Sequence, residues 1–249
     1  MTKYNTTQLD VDKDFENLMF HRDRFAHYFR WTHVSKCIRT RKHNILDIGC
    51  GSGNMLKVLF TNRIMPKQYV GLDFKKSMVN KMNKEWSHKQ DKYDISFKQC
   101  DIVKNRLSNI AGITNWDFIT CFEVLEHIGK KNINKALKNI ATQMSDKTKL
   151  FISTPVYDPK VGAASNHIVD GVIGEFKFNE LKKHLEKHFT IESVHGTFAS
   201  QKDVKPVLTN AELTVYNSMK EFYDVDMLSI MFAPMHPEQS RNCFWILTK

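Results

Sequence analysis

The sequence lacks both a long hydrophobic run and a secretory leader. No stretch of its 249 residues approaches the roughly 18 consecutive apolar residues that a membrane-spanning helix needs. The polar first residues, MTKYNTTQLDVDKDFEN, do not have the charged and then apolar layout of a signal peptide. We therefore expect a soluble, cytoplasmic protein with no membrane partner.

The sequence also has few cysteines, and it lacks repeats and linkers. Its 5 cysteines are odd in number and include no CxxC pair, which argues against a disulfide scaffold and against a structural zinc site. We find no internal repeat, no low-complexity tract and no Pro/Gly-rich linker. We expect one domain over residues 1–249, because a chain of this size and composition can bury a single core.

Acidic residues are outnumbered by basic ones, 27 against 37, which gives a formal net charge of +10. A positive field attracts nucleic acids and phosphorylated substrates. A lysine-rich surface can equally serve solubility alone. The charge therefore leaves two alternatives, an anionic partner and a merely solvated surface.

Apolar runs of strand length alternate with segments of helical periodicity through the middle of the chain. This alternation predicts an α/β fold with a doubly wound sheet of parallel strands and helices on both faces. The predicted strands are NILDIGC, QYVGLDF, ISFKQCDI, WDFITCFEVL, TKLFISTP, TIESVHGTFAS and NCFWILTK.

The ends of the chain differ from this middle. We expect N-terminal helices in residues 1–42, a core in residues 43–199, a helical cap insertion in residues 200–240 and a terminal strand in residues 241–249. Within this last part, Arg241 could clamp a phosphate or carboxylate, with a structural salt bridge as the alternative. Phe198, Tyr223 and Phe232 could stack a ring, although core packing is the safer interpretation.

Three glycines at every second position, Gly49, Gly51 and Gly53, follow Asp47 in the segment DIGCGSG. The dinucleotide fingerprint is G-x-G-x-x-G, whereas the spacing here is G-x-G-x-G. A carboxylate beside the turn would repel a pyrophosphate and would suit a ligand that carries an ammonium or sulfonium charge. An NAD-dependent dehydrogenase is therefore disfavoured.

The same segment, DIGCGSG, resembles the first motif of class I S-adenosylmethionine (SAM)-dependent methyltransferases, and later segments follow the order of that family. Asp73, at the end of YVGLD, resembles the acid that receives the two ribose hydroxyls. Asp101, in FKQCDI, resembles the acid that binds the adenine amino group, with Ile102 against the ring. The segment WDFITCFEVLEHI, residues 116–128, resembles the fourth motif, whose first residues line the methionine end of the cofactor.

This resemblance implies a SAM-dependent methyltransferase with SAM as its cofactor. It also implies a Rossmann-like sheet of seven mostly parallel strands with an antiparallel last strand. The cofactor-binding residues that it implies are Asp47, Gly49, Cys50, Gly51, Gly53, Asp73, Phe74, Asp101, Ile102 and Phe122. Taken singly, each aspartate could instead cap the helix that follows its strand.

The cluster E-x-x-E-H after the fourth strand supplies the candidate catalytic residues, Glu123, Glu126 and His127, and His167 follows the fifth strand. If the segment leaves the strand through a helical turn, these side chains can converge. They would then suit Mg²⁺, Mn²⁺ or Zn²⁺. The arrangement resembles the metal-dependent 2′-O-methyltransferases of small RNAs and the O-methyltransferases of ubiquinone synthesis. The same motif also occurs in related enzymes without a metal, where the first glutamate faces the cofactor.

Three functions remain open for the acceptor side. The first is methylation of an O or N atom in a nucleic acid or nucleotide, which the positive charge favours slightly. The second is methylation of a small molecule in a closed pocket, which fits the absence of a recognisable RNA-binding module. The third is a non-catalytic subunit with a SAM-binding fold. The (D/N)PP(Y/F) signature of DNA amino-methyltransferases is absent, and the oligomeric state is not indicated.

Overall fold

The structure, a computed structural model, describes residues 22–38, 43–90, 92–112, 115–160, 162–163, 167–199 and 205–249. Its main sheet has seven strands in the order β3-β2-β1-β4-β5-β9-β8. The strands are β1 (Asn44–Ile48), β2 (Gln68–Asp73), β3 (Asp94–Gln99), β4 (Phe118–Phe122), β5 (Lys149–Pro155), β8 (Thr190–Ala199) and β9 (Ser240–Thr248), with β6 (Ile168–Val169) and β7 (Val172–Ile173) as a separate hairpin.

Strands β1 to β5 are parallel, and β9 runs antiparallel to both β5 and β8. This confirms the predicted sheet with its antiparallel last strand. The order of strands reverses between β1 and β4, because the chain leaves β1 toward β2 and β3 and later returns to β4 and β5. Ligands of open α/β sheets bind at such a reversal, at the carboxyl ends of the strands.

Helices cover both faces of the sheet, as predicted. One apolar layer lies between the sheet and α4, α5 and α6. The other lies between the sheet and α1, α2 and α3. The helices are α1 (Arg22–Cys37), α2 (Asn54–Thr61), α3 (Lys76–Gln90), α4 (Leu107–Ala111), α5 (Ile133–Ala141), α6 (Phe178–Leu185), α7 (Asn210–Met219) and α8 (Val225–Phe232).

The hydrophobic pattern explains these elements. Strand β1, with sequence NILDI, is buried over its last four residues, as expected for a central parallel strand covered on both faces. Helix α5, with sequence INKALKNIA, buries Ile133, Ala136, Leu137 and Ile140, which lie three and four residues apart and form one apolar stripe.

Two short elements were not predicted. Helix α4 is too short to show helical periodicity, and the β6–β7 hairpin lies where we expected only a loop after Pro155. At the N-terminus one helix, α1, is described. The predictions for residues 1–21 and 39–42 lie outside the described residues, and the division of the chain into parts stays a prediction.

A helical cap stands between β8 and β9, as predicted, and contains α7 and α8. It has a small apolar core of its own, in which Tyr216, Leu228 and Phe232 are buried. The cap packs closely on β8 at Gly196, where an added Cβ would lie 2.3 Å from the carbonyl oxygen of Ala233. None of the helices in the described ranges is both long enough and apolar enough to cross a bilayer.

Candidate active site

The glycine turn joins β1 to α2 at the point where the strand order reverses. Gly49, Gly51 and Gly53 have φ angles of 73°, 50° and 70°, a region that glycine adopts without steric cost. A Cβ on Gly49 would lie 2.2 Å from Cγ2 of Val124, so the missing side chain lets the segment after β4 lie against the turn. The amides of Gly49 and Cys50 both donate to the Leu72 carbonyl, at 2.7 and 2.9 Å, and Cys50 is buried.

Asp73 lies at the end of β2 and faces the glycine turn. Its two carboxylate oxygens accept hydrogen bonds from the amides of Gly51, at 3.0 Å, and Lys75, at 2.8 Å. Each oxygen keeps a second lone pair, so the same carboxylate can still receive a vicinal diol. Phe74, with 66% of its surface exposed, stands beside it and offers a face to a planar ring.

Asp101 follows β3 at the same edge of the sheet. One of its oxygens caps the local turn by accepting from the Val103 amide at 2.9 Å, and the other lies 3.6 Å from Nζ of Lys104. The turn-capping alternative is thus present in the structure, and the adenine contact of Asp101 stays a prediction. Ile102 beside it is buried.

Asp47 lies beneath the turn and not on its open face. It is only 3% exposed, and its two oxygens accept hydrogen bonds from the hydroxyls of Tyr69, at 2.5 Å, and Thr120, at 2.7 Å. Burial raises the pKa of this carboxyl to about 6, against the opposing effect of these two hydrogen bonds. The direct contact with a cationic ligand that we predicted for Asp47 is therefore corrected to a supporting position, in which it joins β1 to β2 and β4.

Glu123, the first residue after β4, lies in a network that the sequence did not predict. Its carboxylate accepts from the Ser153 hydroxyl at 2.9 Å and from the Asn242 side-chain amide at 3.0 and 3.1 Å. Nη1 of Arg30, on α1, lies 3.2 Å from the same carboxylate, and the Arg30 side chain is 1% exposed. Burial opposes ionisation of Glu123, but the Arg30 guanidinium, with further nearby groups, holds the pKa of Glu123 below its usual value.

The backbone at Glu123 has a positive φ of 54°, which is uncommon for a residue other than glycine and disfavoured by about 1 kcal/mol. Such strained residues are concentrated at functional sites. In this backbone conformation the Glu123 side chain points toward α1, β5 and β9. It shares this region with Phe122, whose ring lies 5.9 Å from both the Phe244 ring and the Arg30 guanidinium carbon.

A second group forms around the short helical turn Leu125–His127, which confirms the predicted turn after β4. Glu126, His127 and His167 each offer a ligand atom, and these atoms lie within 4.8 Å of one another. The imidazole rings of His127 and His167 are 4.0 Å apart between centroids. The structure thus brings together three of the four residues predicted as metal ligands. Glu123 is not among them, because its side chain is held by Arg30 and Asn242.

The hairpin β6–β7 brings His167 to this turn. The Gly174 amide donates to the His167 carbonyl at 2.9 Å, which closes the hairpin. A Cβ on Gly174 would lie 1.9 Å from the Glu126 carbonyl oxygen, so only glycine lets the hairpin approach so closely. Gly129 meets Val169 on the same hairpin, with 3.0 Å between an added Cβ and Cγ1 of Val169.

Burial favours the neutral forms of Glu126 and His127 in this group. Burial, together with the neighbouring Glu123, raises the pKa of Glu126 well above its usual value, and Glu126 accepts a hydrogen bond from Thr154 at 3.1 Å. Burial and the neighbouring His167 lower the pKa of His127 to about 4, so its imidazole is neutral at pH 7. Two imidazoles with a carboxyl group that loses its proton on binding are a donor set that suits a divalent ion such as Zn²⁺ or Mn²⁺.

Three residues of the site escaped the sequence analysis: Arg30, Ser153 and Asn242. None belongs to a motif, and they come from α1, β5 and β9, which meet only after the sheet has formed. Only the pairing of β9 with β5, where Ser153 faces Phe244 and Asn242 faces Pro155, could have indicated that these side chains are neighbours of β4.

Two residues on the cap side make structural contacts. Arg241 is buried, and its Nη1 donates to the Gly162 carbonyl at 2.7 Å, so it holds a neighbouring loop. Phe232 packs in the core of the cap, which confirms the core-packing interpretation. Tyr223 is half exposed, and the side chain of Phe198 lies outside the described residues.

A comparison with known protein families identifies the family of this chain. A family described as a methyltransferase domain matches residues 20–217, which is most of the chain. The chain belongs to this methyltransferase family. Membership of this family implies SAM as the cofactor. The matched region contains the glycine turn, Asp73, Asp101 and the turn after β4.

Individual relatives of this methyltransferase are distant. A ubiquinone biosynthesis O-methyltransferase from Coxiella burnetii is 26% identical over 125 residues, which is 50% of this chain and 49% of the relative. The chain thus spans about half the length of the curated relatives that it matches.

Solved structures share the fold. The methyltransferase domain of a bacterial Hen1, CtHen1, has a TM-score of 0.56 at 17% identity and covers 91% of this chain and 99% of that one. The small RNA methyltransferase HEN1 has a TM-score of 0.61 at 16% identity and covers 90% of this chain and 25% of that one. At these identities the likeness is one of fold alone.

Proposed function

We propose that this methyltransferase transfers the methyl group of SAM to a hydroxyl oxygen, with a divalent cation held by Glu126, His127 and His167. The observation that carries the proposal is the convergence of these three side chains beside the glycine turn. When bound there, a divalent cation would lower the pKa of an approaching hydroxyl and orient it. An amine acceptor would not need such a group.

The side chains around the glycine turn are chemically complementary to the parts of SAM. Asp73 can receive the ribose hydroxyls, and Phe74 and Ile102 can flank the adenine ring. The methionine end of SAM carries an ammonium, and the Glu123 carboxylate, whose side chain is 22% exposed, presents the complementary charge. Arg30, which is 1% exposed, would hold Glu123 in its ionised form from beneath.

The chain's own part in the reaction is positioning. Methyl transfer from a sulfonium is an in-line displacement, so the enzyme must hold the acceptor oxygen about 3 Å from the methyl carbon and opposite the sulfur. The glycine turn and Glu123 would fix the cofactor, while the turn at Glu126 and His127 would fix the acceptor. Both segments are joined at Val124, which contacts Gly49.

For the acceptor we propose a ribose hydroxyl of RNA. The net charge of +10 supports an anionic substrate, and HEN1, a small RNA methyltransferase, shares the fold. A phenolic small molecule is the second candidate, because the matching half of a ubiquinone biosynthesis O-methyltransferase is also similar.

The test is a transfer assay with labelled SAM and three acceptors. These are an RNA oligonucleotide with a free 3′-terminal diol, the same RNA with a 2′-deoxy 3′-terminal nucleotide, and catechol. We expect label on the first RNA only, loss of transfer with EDTA, and recovery with Mn²⁺, Mg²⁺ or Zn²⁺. Label on catechol alone would replace the RNA by a phenol, and full activity in EDTA would refute the metal.

Two variants sharpen the assay. His127→Ala is expected to abolish transfer and to leave the affinity for SAM unchanged, because His127 lies on the acceptor side. The matched control is His88→Ala, which removes an exposed histidine of α3 and should leave both transfer and SAM binding unchanged. Full activity of His127→Ala would remove this residue from the site.

A further inference from the structure

We infer that the outer surface of α5 and α6 is a phosphate-binding face, along which the backbone of a single-stranded RNA lies when its terminal hydroxyl enters the site; this rests on the proposed function. We call this surface, formed by residues 129–147 and 177–188, the lysine face.

The lysine face has a net positive charge. Its two segments contain nine lysines and three acidic residues, whereas the cap segment 205–239 contains two lysines and five acidic residues. Phosphate groups would therefore be attracted to α5 and α6 and repelled from the cap. The lysines are Lys130, Lys131, Lys135, Lys138, Lys147, Lys177, Lys182, Lys183 and Lys187.

The two helices form one continuous surface. Nζ of Lys130, at the start of α5, lies 3.0 Å from a carboxylate oxygen of Glu180 on α6, and Nδ1 of His184 lies 3.0 Å from the side-chain oxygen of Asn134. Burial and the adjacent Lys187 lower the pKa of both His184 and His188, and Lys138 also acts on His188. A lysine of α5 and a lysine that follows α6 thus both act electrostatically on His188.

The lysine face begins at the edge of the sheet where the proposed acceptor residue His127 lies. Helix α5 connects β4 to β5, and α6 precedes β8, so both helices start at the edge where the strands β4 and β5 end. Lys130 and Lys131 follow His127 by three and four residues, at that edge. From there α5 extends for about 13 Å away from the site, at 1.5 Å per residue. A strand whose end lies at His127 can therefore continue directly over the lysines.

The chemistry of the face favours a nucleic acid over a membrane. Among the described residues, no large apolar side chain that is exposed belongs to α5 or α6. A membrane-bound surface needs apolar side chains to insert beside its lysines. Lysines without such side chains suit a phosphate backbone that stays in water.

The test compares two triple variants of the full chain. The first, Lys135→Gln/Lys138→Gln/Lys187→Gln, removes three exposed lysines of the face. The matched control, Lys67→Gln/Lys81→Gln/Lys84→Gln, removes three exposed lysines near α2 and α3, on the other layer. Binding of a labelled single-stranded RNA is measured by fluorescence anisotropy over a range of salt concentrations, without SAM and without turnover.

We expect the first variant to reduce the slope of log affinity against log salt by about 2, because each phosphate contact to a single strand contributes about 0.7. The control should keep the slope of the unchanged protein. Where RNA is methylated, KM for the RNA should rise in the first variant, while kcat and KM for a mononucleoside acceptor stay constant.

Three results would overturn the inference: no RNA binding by the unchanged protein, an equal change of slope in both variants, or a loss in the first variant of binding to anionic lipid vesicles but not to RNA. RNA that binds through these lysines without being methylated would support the lysine face and refute the proposed function, so the two can fail separately.

Discussion

At the scale of single residues, the buried carboxyl of Asp47 makes the stability of the protein depend on pH. In the folded chain its pKa is raised to about 6, mainly by burial, whereas a carboxyl of an unfolded chain titrates near 3.9. The folded state therefore binds this proton more tightly. The stability from the protonated form is fully present below about pH 4 and is lost as the pH rises through about 6.

The substitution Asp47→Asn should remove this loss of stability at rising pH. An amide can accept one hydrogen bond and donate another to the hydroxyls of Tyr69 and Thr120, but it cannot ionise. We expect the free energy of unfolding of the variant, relative to the unchanged protein, to increase between pH 4 and pH 7 by as much as about 3 kcal/mol. Urea unfolding at several pH values measures this, with Asp146→Asn at an exposed position as the control. If the free energy of unfolding depended on pH in the same way for Asp47→Asn and for the unchanged protein, the prediction would be wrong.

Gly49→Ala tests the close approach of the glycine turn. Alanine at this position would have to keep the positive φ, and its Cβ would overlap Val124. We therefore expect the stability to fall by about 2 kcal/mol or more and S-adenosylhomocysteine to bind much more weakly. Gly112→Ala is the matched control, because Gly112 also has a positive φ, of 82°, but an added Cβ meets only the end of the Lys98 side chain. Calorimetric titration and urea unfolding separate the two; equal effects of both variants would show that backbone strain alone matters.

At the scale of elements, the β6–β7 hairpin positions one of the three residues of the proposed cation site. Gly174→Ala would push the hairpin away from Glu126 and carry His167 with it. We expect a large loss of transfer and of cation affinity, with unchanged binding of S-adenosylhomocysteine. Gly171→Ala, in the open tip of the same hairpin, where an added Cβ meets nothing within 4 Å, is the control. If Gly174→Ala kept full cation affinity, His167 would not be a ligand.

The elements also show what the sequence can and cannot reveal. Strands such as β1 and helices such as α5 were predictable because burial on both faces or on one stripe leaves a clear hydrophobic pattern. The hairpin with His167 was not, because its strands are two residues long and its position depends on the turn after β4. The E-x-x-E-H motif was visible, but the division of its two glutamates between Arg30 and the histidines depends on α1 and β9, which are distant in sequence.

At the scale of the whole molecule, the residues proposed to bind the cofactor, such as Asp73 and Glu123, differ from those proposed to bind the cation, Glu126, His127 and His167. We therefore expect S-adenosylhomocysteine to stabilise the protein without any cation. An excess of about 100-fold over Kd should add about 2.7 kcal/mol to the free energy of unfolding. The same increase is expected with and without EDTA. A dependence on EDTA would mean that the cation and the cofactor bind as one unit.

The cap joins β8 to β9, two strands that pair with each other, and it touches β8 through the close packing at Gly196. Its two ends therefore lie side by side, and the register of the sheet does not depend on what lies between them. An insertion with this geometry is a natural unit of evolutionary exchange. A library that varies residues 205–239 and leaves the rest of the chain unchanged could select new acceptors while every residue assigned to the cofactor is inherited intact.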